Sequence, residues 1–211
     1  MCNRCHGIAY AVAGLLIAFT PLAAGVPWGL CSNTTGNYTG NSTYSANLRR
    51  AAAALPSNVS TSPALFANFT TGTAPNTVHA VGQCNGGQDA TACRSCIAAS
   101  FENAQLLCPH NRGVAIFYDV CLIGFSDQDF LATHANLEDQ EIHLSNPGSV
   151  PSDVAGRFDA SAYELLNAMA DYLATTNSTI KFVTGAIGFD ATYPNVFATA
   201  SCTPDLTPAQ C

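Results

Sequence analysis

Apolar positions along this chain alternate between a helical and a strand period. Residues 26–45 are polar and rich in Asn, Thr, Ser and Gly, which reads as loop with one short strand. From Ala46 to Leu55 the pattern turns helical. Leu48, Ala51, Ala52 and Leu55 recur at i, i+3, i+4 and i+7, and Pro56 is expected to stop the helix. Residues 65–71 (LFANFTT) and 77–83 (TVHAVGQ) mix β-branched and aromatic residues and predict two strands. A second helix is expected from Asp89, whose carboxylate can accept from free N–H groups of the first turn, to just before Pro109. Cys93, Ile97, Phe101 and Ala104 would share one face of it. Residues 113–126 (GVAIFYDVCLIGFS) are apolar on both pleat faces and predict a central strand or strand pair under the helices.

Residues 127–157 form a polar, acidic connector carrying Pro147, Gly148, Pro151 and Gly156. The pattern then restarts. Phe158, Ala162, Leu165, Leu166, Met169 and Leu173 predict an amphipathic helix, and residues 180–186 and 192–201 two strands. The cysteines repeat as well. Cys84, Cys93 and Cys96 make a C-x8-C-x2-C run, and C-x8-C returns at Cys202 and Cys211. Thr207-Pro208 follows Cys202 as Asp89-Ala90 follows Cys84, a capping residue with a helix-start residue behind it, so a second helix is expected there. The shared offset marks an internal repeat, with the second copy stopping short.

The N-terminus reads as a processing signal. Arg4 gives a basic n-region and Ile8 to Ala24 an apolar stretch ending in small residues, with cleavage expected near Ala24 or Gly25. Past that point six basic residues face fourteen acidic ones, a net charge near −8. No basic footprint for nucleic acid exists, and no later segment reaches the roughly 18 apolar residues of a membrane span. Eight cysteines remain behind the signal, an even number in an oxidising context, which reads as disulfides. Six N-x-[ST] sequons agree with secretion: Asn33, Asn37, Asn41, Asn58, Asn68 and Asn177.

Several residue groups suggest a specific chemistry, and each has a plainer explanation. Cys2-Asn-Arg-Cys5-His6 spells a haem-attachment pattern but lies in the leader. Cys84, Cys93, Cys96 and Cys108 can be drawn as a zinc site, and the secretory context favours disulfides instead. His134, Glu138, Asp139, Glu141 and His143 form a His/carboxylate group at no defined metal spacing, so a solvated linker accounts for it. Gly-x-Ser-x-Gly and phosphate-loop motifs are absent, and Gly86-Gly87 reads as the turn before a helix. The expectation is a non-enzymatic chain with no cofactor and no metal.

The residues resemble the ginkbilobin-2-homologous family, the plant salt-stress-response/antifungal domain. The likeness runs through Cys31, Asn47-Leu48, Cys84/Cys93/Cys96, Cys108-Pro109, Tyr118-Asp119-x-Cys121 and Phe130-Leu131. A partial second copy matches through Phe158, Leu165-Leu166 and Cys202-Thr-Pro-Asp-Leu. Members occur as antifungal lectins, as repeat secretory proteins and as ectodomains of cysteine-rich receptor-like kinases. The resemblance implies an α+β fold, a short antiparallel sheet with helices packed on it, stapled by disulfides, with the second copy incomplete. The expected organisation is a signal peptide over 1–25, a first domain over 26–131, a linker over 132–157 and a partial second domain over 158–211.

Six cysteines in the first copy allow fifteen pairings, and spacing alone does not choose among them. The resemblance implies Cys31–Cys108, Cys84–Cys93 and Cys96–Cys121, with Cys202–Cys211 matching Cys84–Cys93. The antifungal member holds mannose with an Asn, an Arg and a Glu. The matching positions here are Ser32, Ala115 and Ser126, so mannose binding at this site is expected to be lost. The leading expectation is a secreted recognition protein of the plant apoplast, in defence or stress signalling, that meets an extracellular protein or a cell-wall glycan. A glycan-binding antifungal lectin, a truncated ectodomain of a receptor-like kinase and a non-functional fragment are the alternatives. The incomplete copy is expected to expose a sheet edge open to homo- or hetero-association.

Overall fold

The computed structural model describes residues 25–133, 142, 148–208 and 210–211. The leader, with Cys2, Cys5 and His6, lies outside the described residues, as do His134, Glu138, Asp139, Glu141 and His143 of the linker.

Eleven elements follow in chain order among the described residues. They are β1 (Trp28–Cys31), α1 (Thr43–Thr61), β2 (Phe66–Thr71), β3 (Val78–Cys84), α2 (Ala90–Leu107), β4 (Val114–Phe117), β5 (Cys121–Ser126), α3 (Phe130–Thr133), α4 (Ala155–Thr175), β6 (Phe182–Gly188) and β7 (Asn195–Ser201). The first five strands form one antiparallel sheet in the order β1-β4-β5-β3-β2. The apolar stretch 113–126 is thus a strand pair, and its second member, β5, is the middle strand. The fold is α+β.

The start and end of each helix have local causes. Ser42 accepts the Ser45 N–H on its hydroxyl at 3.2 Å and opens α1. Asp89 accepts the N–H groups of Thr91 and Ala92, both at 2.8 Å, and opens α2 as the sequence predicts. One expectation is corrected at Pro56, which lies inside α1 rather than after it. An interior proline costs a helix about 3 kcal/mol. Leu55 and Val59 on either side of it are wholly buried, and burying two such side chains returns about 3–6 kcal/mol. The helix therefore runs on to Thr61.

α1 and α2 cover one face of the sheet. Gly82 of β3 makes room for them, because a Cβ there would stand 2.9 Å from Val59 Cγ2, 3.2 Å from Leu55 Cδ2 and 3.3 Å from Ile97 Cδ1. Phe101 of α2 stacks on Phe125 of β5 with ring centroids 6.0 Å apart.

The later residues build a smaller version of the same layers. α4 buries Leu165, Met169 and Leu173 on the antiparallel pair β6–β7, which forms a separate two-stranded sheet. Gly185 gives α4 its approach, since a Cβ there would lie 2.8 Å from Leu165 Cδ1. The helix expected at Thr207-Pro208 is corrected to a single turn. Cys211 donates its N–H to Thr207 O at 3.0 Å, and Gln210 Oε1 accepts from the Thr207 N–H at 3.0 Å. That is a helix-start geometry, but one turn fixes several residues for one bond and does not stand as a helix.

Candidate functional site

Four disulfides pin these elements. Cys31 joins Cys108, Cys84 joins Cys93, Cys96 joins Cys121 and Cys202 joins Cys211, with Cα–Cα distances of 5.4, 5.7, 6.1 and 5.6 Å. The first ties the edge strand β1 to the end of α2. The second and third fix the start of α2 against the neighbouring strands β3 and β5. Among the described residues every cysteine is in a disulfide.

Strand register decides what the other face of the large sheet presents. Side chains alternate along each strand. Val114, Phe125 and Ala80 form one row across β4, β5 and β3, and all three sit in the core under the helices. The adjacent rows therefore point to the opposite face. One of them contains Leu30, Ala115, Gly124 and Val81. The other contains Ser126 and His79, with Ser32 reached through its N–H bond to Gly113 O at 2.8 Å. Ser32, Ala115 and Ser126, far apart in sequence, are thus brought to one end of one sheet face.

The chemistry of these three positions is spent. All are buried, and Ser126 is wholly so. Ser32 Oγ shares a hydrogen bond with Thr34 Oγ1 at 3.0 Å and accepts the Thr34 N–H at 3.2 Å. Ser126 Oγ accepts the Gln128 N–H at 3.0 Å. Ala115 has no polar side-chain atom. A sugar site needs several convergent hydrogen-bonding groups at an open pocket, and these residues offer none that is both polar and exposed.

The same end of the sheet is held by a cluster that sequence periodicity does not announce. Arg112 donates from Nη1 to Asp127 Oδ2 at 2.8 Å and from Nη2 to Asn76 Oδ1 at 3.0 Å. Its guanidinium carbon lies 4.4 Å from the centre of the Tyr44 ring. The Tyr44 hydroxyl in turn donates to the Arg112 carbonyl at 2.5 Å. Burial pushes the Tyr44 phenol well above its ordinary range; Asp127 adds to that push and Arg112 opposes it. The members come from α1, the β2–β3 turn and the two ends of the β4–β5 pair, so only their residue types were visible in the sequence. His79 joins the outskirts, its Nδ1 3.2 Å from Thr70 Oγ1 and 3.5 Å from Asp129 Oδ1.

The six sequon asparagines, Asn33, Asn37, Asn41, Asn58, Asn68 and Asn177, are all exposed. The β6–β7 hairpin leaves its face opposite α4 open. Phe197 projects from it at 75% exposure, beside a shallow hollow of about 560 Å³ lined by Thr184, Gly185, Ala186, Phe197, Ala198 and Thr199. The smaller unit touches the larger one. Gln83 Nε2 donates to Cys202 O at 3.2 Å, and a Cβ on Gly86 would stand 2.5 Å from Phe182 Cδ1. Among the described residues no group of His, Cys, Asp and Glu is placed to hold a metal ion, and no helix is long and apolar enough to cross a membrane.

Comparison with known proteins agrees with this geometry. The family described as salt stress response/antifungal matches residues 30–128. Cysteine-rich receptor-like protein kinase 10 of Oryza sativa subsp. japonica is 36% identical over 217 residues, covering 100% of this chain and 33% of that protein. Cysteine-rich receptor-like protein kinase 6 of the same organism is 38% identical over 97% of the chain and 31% of that protein. The chain therefore spans about a third of the length of these two relatives. A putative cysteine-rich receptor-like protein kinase 9 of Arabidopsis thaliana is 31% identical over 86% of the chain and 67% of its own length. Among solved structures, the tandem DUF26 ectodomain of the Arabidopsis thaliana cysteine-rich receptor-like protein PDLP5 superposes with a TM-score of 0.64. That match covers 87% of this chain and 80% of the other at 24% identity, a likeness of fold.

Proposed function

The chain belongs to the salt stress response/antifungal family, and from that premise we propose that it acts outside the cell as a non-enzymatic recognition protein in plant defence or stress signalling. Its partner is a protein rather than a free sugar. The observation that carries this reading is the state of Ser32, Ala115 and Ser126, which share a sheet face yet are buried, with both serine hydroxyls bonded locally. The four disulfides favour an oxidising, extracellular compartment. Any phosphotransfer of the kind named for the relatives would belong to residues beyond the stretch they share with this chain.

The test has two arms. The chain expressed with its own leader in plant cells should appear in apoplastic fluid with its cysteines oxidised. Recovery from the cytosol with free thiols would sink the extracellular assignment. The secreted protein titrated with mannose or mannan should show no binding up to millimolar sugar while its circular dichroism stays native. A saturable mannose signal would replace the protein-recognition reading with the lectin one.

A further inference from the structure

The five-stranded sheet ends in β1 on one side and β2 on the other. β1 is four residues long and closes in the disulfide Cys31–Cys108, and so short an edge strand offers little to pair with. β2 (FANFTT) has six residues, with no charge and no proline. It pairs with β3 through six consecutive partners, Phe66↔Gln83 to Thr71↔Val78, so no bulge breaks it. Edges of natural sheets are protected by charge, proline or bulges. An uncharged run of this length with aromatic residues and no proline is the kind that adds further strands.

Register decides which backbone groups of β2 are unused. Cys84 donates its N–H to Leu65 O at 2.8 Å. Backbone groups alternate in direction along a strand, so Ala67, Phe69 and Thr71 turn theirs toward β3. Phe66, Asn68 and Thr70 turn theirs outward, and among the described residues no strand receives them. The side chains of these three residues lie on the face opposite the helices, because Ala67 and Phe69 between them pack against the core. A further strand would therefore join at Phe66, Asn68 and Thr70. Its side chains would stand beside theirs, Cβ to Cβ about 4.5–5.5 Å away.

The middle residue of the three is a sequon asparagine. Asn68-Phe69-Thr70 is an N-x-T acceptor, and Asn68 is exposed. Of the six sequon asparagines, Asn68 is the one inside a named strand. We propose that an N-linked glycan on Asn68 is the edge guard of this protein. A glycan is bulky and solubilising, and here it occupies the space in which an incoming strand would lay its side chains. It does for β2 what charge or proline does at other edges, and it keeps the outward groups of Phe66, Asn68 and Thr70 for water. The proposal rests on the extracellular reading, since the sugar is added on the secretory route.

Occupancy and association are tested together on the chain secreted from plant cells. Enzymatic deglycosylation in heavy-oxygen water marks each asparagine that carried glycan, and peptide masses should show the mark at Asn68. Asn68→Gln removes the acceptor and leaves the strand uncharged. Sedimentation should show this variant associating at concentrations where the wild type does not. Thr70→Lys also destroys the sequon, but it sets a charge on the same edge and face, so it should sediment as the wild type does. The double variant Asn37→Gln/Asn58→Gln strips sugar away from this edge and should also match the wild type. Amide exchange locates the contact: the N–H groups of residues 66, 68 and 70 should gain protection with concentration in Asn68→Gln and not in the wild type. A bare Asn68 on the apoplastic chain, an Asn68→Gln variant that sediments as the wild type, or equal association in Thr70→Lys or in the double variant would each overturn this proposal alone. Recovery of the chain from the cytosol would overturn the extracellular reading with it.

Discussion

Cys84 and Cys202 occupy the same place in two copies of one motif. Each donates its backbone N–H to the residue just before a strand phenylalanine, Cys84 to Leu65 O at 2.8 Å and Cys202 to Lys181 O at 3.0 Å. Phe66 then pairs with Gln83, and Phe182 with Ser201, the residues that precede the two cysteines. Each cysteine closes a disulfide nine residues on. The repeat is therefore one of register and hydrogen bonding as well as of cysteine spacing.

The two copies should respond differently to loss of a disulfide. Cys31–Cys108 spans 77 residues, and on the chain-entropy model closing such a loop is worth up to about 4.5 kcal/mol. Replacing both cysteines by serine should remove a large part of a typical domain stability of about 5–15 kcal/mol. Cys202–Cys211 spans nine residues, for which the same model gives about 2.6 kcal/mol, and it closes a turn of the smaller unit alone. Thermal melts followed by near-ultraviolet circular dichroism should show the transition of the first double variant lowered by roughly 20–35 °C. The second should keep the transition of the five-stranded unit. Equal losses in the two variants would mean that the units unfold as one.

Most of the architecture was legible because its signals are local. The cap at Asp89, the β-branched and aromatic residues of 65–71 and 77–83, and the helical face of Leu165, Met169 and Leu173 each need only neighbouring residues. Pro56 misled because the burial of Leu55 and Val59, a tertiary matter, outweighs a local rule. Thr207-Pro208 starts a helical turn as its residues promise, but a start signal does not contain the bonds that propagate a helix. The positions Ser32, Ala115 and Ser126 were nameable through family resemblance. That they share a face, and that both hydroxyls are engaged, follows from the register of β4 with β5 and from the Ser32–Gly113 bond. The Arg112 cluster was illegible because Tyr44, Asn76, Arg112 and Asp127 meet only once the sheet is formed.

Alkaline pH should destabilise the protein through Tyr44. Its phenol is raised in the folded state, chiefly by burial, and then by the charge of Asp127. Burial also raises Tyr38 and Tyr118. A phenol raised in the folded state releases its proton first in the unfolded chain. The stability linked to it is thus complete below the ordinary tyrosine value of about 10 and declines as pH rises from there. Tyr44 steepens the decline by up to about 1.4 kcal/mol per pH unit. Tyr44→Phe should lessen that slope and, at neutral pH, cost about 1–3 kcal/mol by leaving the Arg112 carbonyl without its donor. Urea melts at several pH values, with ultraviolet titration of the tyrosines, check both. An unchanged alkaline slope in the variant would remove Tyr44 from the account.

Secretion should add glycan at exposed sequons. Asn33, Asn37 and Asn41 crowd the loop that leads into α1, and Asn58 and Asn68 extend the series along α1 and β2. Enzymatic removal of N-glycans should lower the intact mass of the secreted protein by several glycan units. Asn37→Gln and Asn58→Gln should each remove one. No mass change on treatment would mean these asparagines are bare.

Two glycine substitutions should move stability in opposite directions. Gly82 lies where α1 and α2 press on β3, and a Cβ would meet Val59, Leu55 and Ile97 within 3.3 Å. All three neighbours are wholly buried, so they have little room to yield. Gly82→Ala should cost about 1–3 kcal/mol, the usual penalty for overfilling a packed site. Gly156, in the first turn of α4, has nothing within 4 Å of its Cβ position. Gly156→Ala removes freedom from the unfolded chain without a clash and should add about 0.5 kcal/mol to the smaller unit. Chemical denaturation of the two variants beside the wild type measures both shifts. A neutral Gly82→Ala would mean that α1 and α2 sit farther from β3 than the structure places them.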